Sequence, residues 1–422
     1  MNLTDWLQQL ESLPFGLTNK SLASVKHVAK KLDILNFSGK IVTVAGTNGK
    51  GSVVIFLESI LLQAGLKTAA YISPHVLNYN ERIRLNGKDI DDTTLCQAFS
   101  LVEAARADII LSYFEFSTLA ALVVFKKQSP DILILEVGLG GRFDAVNILD
   151  SDISVITTIA LDHTHILGES REAIGYEKSG IMRPLRPVVC GDNMPASVYA
   201  AADGLKAKLY CLNKDFSYRE QTSSWLWRFG NGVIDNLPLP RLPIISASLA
   251  LMVVKLLAQN FTITGSAIIN GLKAAFLPGR FERLVFFGKE VIFDVAHNEE
   301  AASLLAINLA KEKEKFQGRI LAVVSMLKDK DITASLTPLV KVVDRWYLGL
   351  LSDERAVTVA QLSQALRKAG GANFTLLPTV AASFSQAIAE CQEKDRIAVF
   401  GSFHTVAEVL KIKNYSIKNV GE

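Results

Sequence analysis

The sequence predicts an α/β protein of two domains, and three observations carry that reading. Short, near-continuous apolar runs alternate with stretches of helical periodicity, the pattern of strands covered on both faces by helices. A glycine-rich segment, Gly46-Thr-Asn-Gly-Lys-Gly51, joins one such run to a helical stretch. The turn residues Leu277-Pro-Gly-Arg280 separate two well-patterned halves, and 422 residues exceed what one ordinary core accommodates. The expected architecture is a doubly wound parallel sheet over 1–278, a linker over 279–284 and a smaller Rossmann-like α/β domain over 285–422.

The elements follow in order. Residues 3–13 and 20–32 read as short helices before the first strand, Ile41 to Ala45. A helix from about Ser52 carries Val53, Phe56, Leu57, Ile60 and Leu61 on one face, with Gly65 as its stop. A strand at Thr68–Ile72 ends in Ser73-Pro-His75, and a polar loop with Asn78, Asn80, Glu81, Arg82 and Arg84 follows. Helices are expected over 92–106 and 115–127, the second closed by Lys126 and Lys127, which suit a helix C-terminus. Asp131–Glu136 and Ser154–Ile159 read as buried strands. Between about 186 and 236 the pattern changes to strand-like pieces, including Trp225–Phe229, with Asn231-Gly232 as a hairpin signal and a helix over roughly 246–258 after them. In the second half the strands are expected at Val291–Val295, Ile320–Ser325, Trp346–Leu350, Phe374–Leu377 and Ile397–Phe400.

Composition excludes several classes. With 49% hydrophobic and 21% charged residues the chain is globular, and a formal net charge of +3 with dispersed Lys and Arg implies no nucleic-acid partner. The longest apolar runs fall short of a membrane span, and the acidic N-terminus has no signal-peptide core. Cys96, Cys190, Cys211 and Cys391 lack metal-site spacing, so free thiols in a reducing cytoplasm are expected.

The chemistry concentrates at strand ends, where open α/β sheets bind ligands. Strand, glycine loop and helix N-terminus at 41–52 make an anion site of outward N–H groups, to which Lys50 adds a mobile cation and Ser52 a hydroxyl. The strict G-x-x-x-x-G-K-[ST] pattern fails, because Val44 stands at its first glycine and Gly51 separates Lys50 from Ser52, so the loop is a variant phosphate site. Ser73, Glu136 and His163 close or follow neighbouring strands and can each supply one or two ligands to Mg²⁺, which shares its remaining positions with water and phosphate. Taken alone, His163 reads as a hydrogen-bonded loop histidine, Glu136 as a salt-bridge partner and Lys178 as a surface lysine. In the second half, Asp294, His297 and Asn298 end one strand, and Ser402 and His404 another.

Taken together, Gly46-Thr-Asn-Gly-Lys-Gly-Ser52, Ser73-Pro-His75, Tyr113-Phe-Glu-Phe116, Glu136-Val-Gly-Leu-Gly-Gly-Arg142, Leu161-Asp-His-Thr164, Glu177-Lys-Ser-Gly180, Leu277-Pro-Gly-Arg280, Phe293-Asp-Val-Ala-His-Asn298 and Gly401-Ser-Phe-His-Thr405 resemble the bifunctional dihydrofolate synthase/folylpolyglutamate synthase family of the Mur ligase superfamily. The resemblance spans essentially the whole chain. It implies a P-loop-type ATPase domain and an ATP-dependent ligase that adds L-glutamate to dihydropteroate and tetrahydrofolate through an acyl phosphate; a monofunctional folylpolyglutamate synthase is the alternative. It implies that Gly46, Thr47, Asn48, Gly49, Lys50, Gly51 and Ser52, with Arg280 and Asp294, bind ATP. Ser73, with a cis peptide to Pro74, Glu136 and His163 would ligate magnesium, and a monovalent cation can accompany it. Lys178 would be carbamylated and act in catalysis with Asp294 and His297. Ser112, Phe114, Asp144 and Ala145 would meet the pterin, and Ser402 would hold glutamate. The implied protein is a cytoplasmic monomer. Two segments depart from the family pattern. Ser246 stands in Ile244-Ile-Ser-Ala247 where Asn is usual near the nucleotide base, and Thr18-Asn-Lys-Ser-Leu22 replaces the usual pterin-contacting loop.

Overall fold

The apolar run at 41–45 becomes the central strand of a sheet. In the computed structural model, which describes residues 1–14, 21–412 and the backbone of 415–416, it is strand β1 (Lys40–Ala45). The chain divides into two units, Met1–Leu277 and Pro278–Glu422. In the first unit β1 is joined by β2 (Thr68–Tyr71), β3 (Ile83–Leu85), β4 (Lys88–Asp89), β5 (Ile132–Glu136), β6 (Ile153–Ile156), β7 (Val188–Cys190) and β8 (Leu209–Cys211). Their order is β4-β3-β2-β5-β1-β6-β7-β8, parallel from β2 to β8, with β3 and β4 antiparallel at one edge. β5 lies between β1 and β2, so the carboxyl ends of β2, β5, β1 and β6 stand side by side. Alternate residues of β1 and β5 enter two different cores: Ala45, Leu133 and Leu135 on one face, Val42, Val44, Ile132 and Ile134 on the other. That double burial is what the unbroken apolar runs encode.

The helix after β1 runs Lys50–Gln63 and buries far more than the expected single face. Val53 through Leu57, with Glu58, Ile60 and Leu61, are all buried, because the helices Ile244–Leu257 and Gly265–Ala274 pack over its outer side. Gly65 takes the left-handed conformation just past its end, as a C′ stop should. The Tyr113–Gln128 helix starts two residues before the expected Glu115, since Ser112 and Glu115 form a capping box. β6 ends at Ile156 rather than Ile159, because Thr157 and Thr158 turn their hydrogen bonds toward the loop after β1.

Residues 216–238 form a sheet of their own, β9 (Phe216–Glu220), β10 (Ser224–Phe229) and β11 (Gly232–Pro238), all antiparallel. Phe229 pairs with Gly232, so the two-residue turn is Gly230-Asn231, one position before the expected one. In the second unit β12 (Glu282–Phe286), β13 (Lys289–Phe293), β14 (Ile320–Val324), β15 (Arg345–Leu348), β16 (Phe374–Leu376), β17 (Arg396–Phe400) and β18 (Tyr415–Ser416) are ordered β16-β15-β14-β17-β13-β12-β18. The sheet is parallel from β16 to β13 and antiparallel through β12 and β18. β12 therefore begins inside the 279–284 stretch read as linker. Among the described residues no helix is long and apolar enough to cross a membrane.

Candidate active site

The loop leaving β1 is held by the end of β6. Thr47 N–H donates to Thr158 O at 2.8 Å, Asn48 N–H to Thr158 Oγ1 at 3.1 Å, and Thr157 Oγ1 to Asn48 O at 2.6 Å. Gly46 has φ +146°, and a Cβ there would stand 1.8 Å from Thr157 Oγ1, so close approach and conformation both require glycine. Gly49, at φ +83°, caps the Lys50–Gln63 helix without a side chain, leaving its N-terminal N–H groups facing outward. Ser52 is buried in the first turn of that helix, one residue beyond Gly51. Thr157 and Thr158 carry this geometry and were not singled out in the sequence; the Thr-Thr pair directly after an apolar strand is the signal for them.

Two lysines converge on one carbonyl. Lys50 Nζ donates to Gly46 O and Thr47 O, each at 3.1 Å, and Lys178 Nζ donates to the same Gly46 O at 2.9 Å. Lys178 is only 5% exposed. Burial and then the positive charge of Lys50 bring its pKa down to about 7, against smaller opposing effects of Asp162 and Asp144. The sequence reads Lys178 as a surface lysine; tertiary structure buries it beside the phosphate-type loop.

The segment holding Lys178 is clamped to the loop after β5. Arg142 N–H donates to Glu177 O at 2.9 Å, its guanidinium donates to Tyr176 O at 3.0 Å and lies over the Tyr176 ring, and Asn147 Nδ2 donates to Gly180 O at 3.0 Å. At the end of β5, Glu136 is 4% exposed, and its Oε2 accepts from Ser73 N–H at 3.1 Å; the Ser73–Pro74 peptide is cis. Glu136 and Ser73 thus meet, with Gly51, in the first turn of the Lys50–Gln63 helix, also against Glu136. His163, in a left-handed conformation, begins the short Thr164–Leu167 helix beside Asp162, the residue whose charge acts on Lys178. Among the described residues no three His, Cys, Asp or Glu side chains form a metal cage.

Asp144 lies in the same loop as Arg142. It accepts from Leu139 N–H at 2.9 Å and Val146 N–H at 3.1 Å, and burial drives its pKa up to about 7 despite those bonds. Ala145 follows it, also buried. The half-buried Phe114 ring sits on Gly138, where a Cβ would come within 2.5 Å of it, and 5.8 Å from the Tyr71 ring. The Ser112 hydroxyl is engaged in capping, accepting from Glu115 N–H at 3.3 Å. Ser246 Oγ lies against Gly49, which puts the departure from the family pattern beside the β1 loop. Of the other departing segment, Thr18, Asn19 and Lys20 lie outside the described residues.

In the second unit Asp294 follows β13 and accepts from Phe281 N–H at 2.9 Å and Ala296 N–H at 2.8 Å. Burial raises its pKa, opposed first by Arg280. The Arg280 guanidinium stacks on Phe403 at 4.9 Å, and the His297 ring is 6.2 Å from the same phenyl. Ser402 begins the Phe403–Leu410 helix; its Oγ accepts from Thr405 N–H at 3.0 Å, and Thr405 Oγ1 donates to Ser325 O at 2.8 Å.

With this geometry in hand, similarity to known proteins decides the family. A model of the Mur ligase glutamate ligase domain matches residues 279–403. The dihydrofolate synthase/folylpolyglutamate synthase of Escherichia coli K12 is 41% identical over 411 residues, 97% of this chain and 95% of that protein. The chain belongs to the dihydrofolate synthase/folylpolyglutamate synthase family. Another relative of the same name, from Haemophilus influenzae, is 37% identical over 96% of each chain. The solved structure of E. coli FolC in complex with DHPP and ADP matches at TM-score 0.91 and 41% identity, over 98% of this chain and 97% of that one. A bifunctional folylpolyglutamate synthase/dihydrofolate synthase with Mn, AMPPNP and L-glutamate bound matches at 0.90 and 43%, over 97% of each.

Proposed function

We propose that this chain is an ATP-dependent acid–amino-acid ligase that joins L-glutamate to dihydropteroate and to tetrahydrofolate. Family membership supports the reading, and one observation carries it to the atoms: Lys50 and Lys178 both donate to the Gly46 carbonyl at the end of β1. An incoming phosphate competes well for the Lys50 ammonium, since a charged acceptor binds it more strongly than a neutral carbonyl does. The Gly46–Ser52 loop is the ATP phosphate cradle in this reading.

A carboxylate does not acylate an amine in water, because its oxygen leaves too poorly. Transfer of the γ-phosphoryl group of ATP to the acceptor carboxylate, with ADP departing, gives an acyl phosphate. The neutral amine of glutamate attacks the acyl carbon, the tetrahedral intermediate expels phosphate, and the nitrogen loses a proton to form the amide. Lys50 offsets the charge spread over the transferring phosphoryl oxygens, and the loop N–H groups fix its position.

Ser73, Glu136 and His163 fit a magnesium ion. Ser73 and Glu136 meet at the ends of the adjoining strands β2 and β5, and His163 follows β6 on the far side of β1; a hydroxyl, a buried carboxylate and an imidazole are a small, mostly hard donor set, which suits an ion that keeps water and phosphate ligands. When bound there, the ion supplies charge neutralisation on the phosphates. Lys178 is read as the carbamylated residue. Its neutral amine attacks the carbon of CO₂, a C–N bond forms, and the displaced proton goes to solvent, leaving a carboxylate. A pKa of about 7 keeps much of the amine neutral at physiological pH.

Phe114, against Gly138 of the loop after β5 that also carries Asp144 and Ala145, is read as the pterin end of the acceptor site. Ser112 serves that site by capping its helix. Arg280, Asp294 and His297 are assigned to the nucleotide and to catalysis, and Ser402 to glutamate through the helix it caps. The protein is placed in the cytoplasm as a monomer with small-molecule partners. The test is phosphate release from ATP with dihydropteroate and with tetrahydrofolate, each with and without glutamate. Release with both acceptors supports the bifunctional reading; release with tetrahydrofolate alone makes the protein a folylpolyglutamate synthase, and release with neither rejects the ligase.

A further inference from the structure

Arg82 is a buried cation that the mechanism above does not use. It is 7% exposed, and among the described residues no carboxylate forms an ion pair or hydrogen bond with it. Its guanidinium carbon lies 5.2 Å from the Tyr79 ring centroid and 5.4 Å from that of Tyr113, and the Tyr71 phenol is its third ionisable neighbour. Nε donates to His75 Nδ1 at 2.8 Å. A buried charge without a counter-charge is costly, and two aromatic faces recover only part of that cost.

The contacts of Arg82 join two ends of the proposed site. His75 closes the Ser73-Pro-His75 turn, whose first residue lies on Glu136. Tyr113 opens the helix that carries Phe114, and Tyr79 also reaches that helix, donating to Ser117 Oγ at 2.5 Å. A guanidinium has only donors, so His75 Nδ1 must accept, which fixes the ring orientation as well as its place. The loop between is rigid: Glu81 takes the N–H groups of Val76, Leu77 and Asn78 at 2.6–2.9 Å.

We propose that Arg82 is a positioning residue that ties the acceptor end of the site to the metal end. Wedged between Tyr79 and Tyr113, it sets His75, and through it Ser73, relative to the helix start bearing Phe114. This rests on the reading of Ser73 as a metal ligand and Phe114 as a pterin contact.

The test is calorimetric titration of the full chain with dihydropteroate, with ADP, and with Mg²⁺ in the presence of ADP. Arg82→Met keeps the stem and removes the charge. It is expected to weaken dihydropteroate and Mg²⁺ together by about tenfold or more, the scale of one lost charged hydrogen bond, while ADP alone binds as in the wild type. Tyr113→Leu should shift the same two affinities, and the double variant should be no worse than Arg82→Met, because both changes break one link. If Arg82→Met does not fold, Arg82→Lys carries the test: it keeps the charge but lacks the planar fork, and a joint shift of about threefold is expected. A lower melting temperature with both affinities unchanged overturns the proposal. So does a loss confined to dihydropteroate, which would make Arg82 an acceptor contact, or additivity of the two substitutions. Failure of the wild type to bind dihydropteroate at all would instead sink the functional reading on which this rests.

Discussion

Each unit holds a carboxyl in the loop that leaves a parallel strand, Asp144 after β5 and Asp294 after β13, and each takes two backbone N–H bonds. Burial raises the pKa of both. They differ in where the nearby cation is spent. Arg280 acts directly on Asp294 and is the first influence opposing its burial, so charge is balanced within the second unit. In the first unit Lys50 opposes the burial of Asp144 less than three backbone hydrogen bonds do, and its ammonium points to carbonyl oxygens instead, one of them shared with Lys178 Nζ. A loop that leaves the Lys50 ammonium on neutral acceptors is open to a polyanion, whereas in the second unit Arg280 already balances the Asp294 carboxyl. On the proposed reading, this contrast matches Lys50 to the phosphates of ATP.

Substitutions can break that contrast, and the largest effects are expected in the first unit. Lys178→Ala should lower turnover by about 10³-fold, the upper range for one lost charge-stabilising group, with partial rescue by added short carboxylates; steady-state ADP formation with dihydropteroate and glutamate measures it. Lys50→Ala should cost at least ~10²-fold in the same assay and also raise the pKa of Lys178, because its charge is the second cause of the depression. Gly46→Ala should reduce stability by about 2 kcal/mol or more in urea unfolding, since the added carbon meets Thr157 in a backbone region hostile to side chains.

Asp144 gives a pH signature. Its folded-state pKa of about 7 lies above the ordinary 3.8, so the folded state holds an extra proton between them. Its contribution to stability is complete below that lower value and is lost as pH rises through about 7, and Asp144→Asn should flatten this decline in unfolding midpoints. In the second unit Ser402→Ala should show the smallest effect, about 1 kcal/mol of stability from the lost cap. A large loss of glutamate affinity there without loss of stability would mean that the hydroxyl contacts glutamate directly.

Local chemistry was legible in the sequence wherever neighbours along the chain decide it. Gly46, Gly49 and Lys50 announce an anion loop because strand, turn and helix follow in ten residues. The apolar runs of β1 and β5 are equally local. Lys178 was not legible as buried, because its burial depends on a carbonyl 132 residues earlier in the chain. Glu136 and Ser73, 63 residues apart, meet only because β5 slots between β1 and β2. Arg82 read as part of a polar loop, yet Tyr113 from a later helix covers it on one side. The one-face reading of the Lys50–Gln63 helix failed for the same reason: two later helices cover the side that periodicity leaves to solvent.

The most direct test of the two-lysine arrangement is the titration of Lys178 itself, followed by ¹³C NMR of the carbamate formed from labelled bicarbonate. The account predicts that the signal grows in as pH rises through about 7 and that its midpoint moves upward in Lys50→Ala. A midpoint near the ordinary lysine value of about 10, unmoved by loss of Lys50, would contradict it.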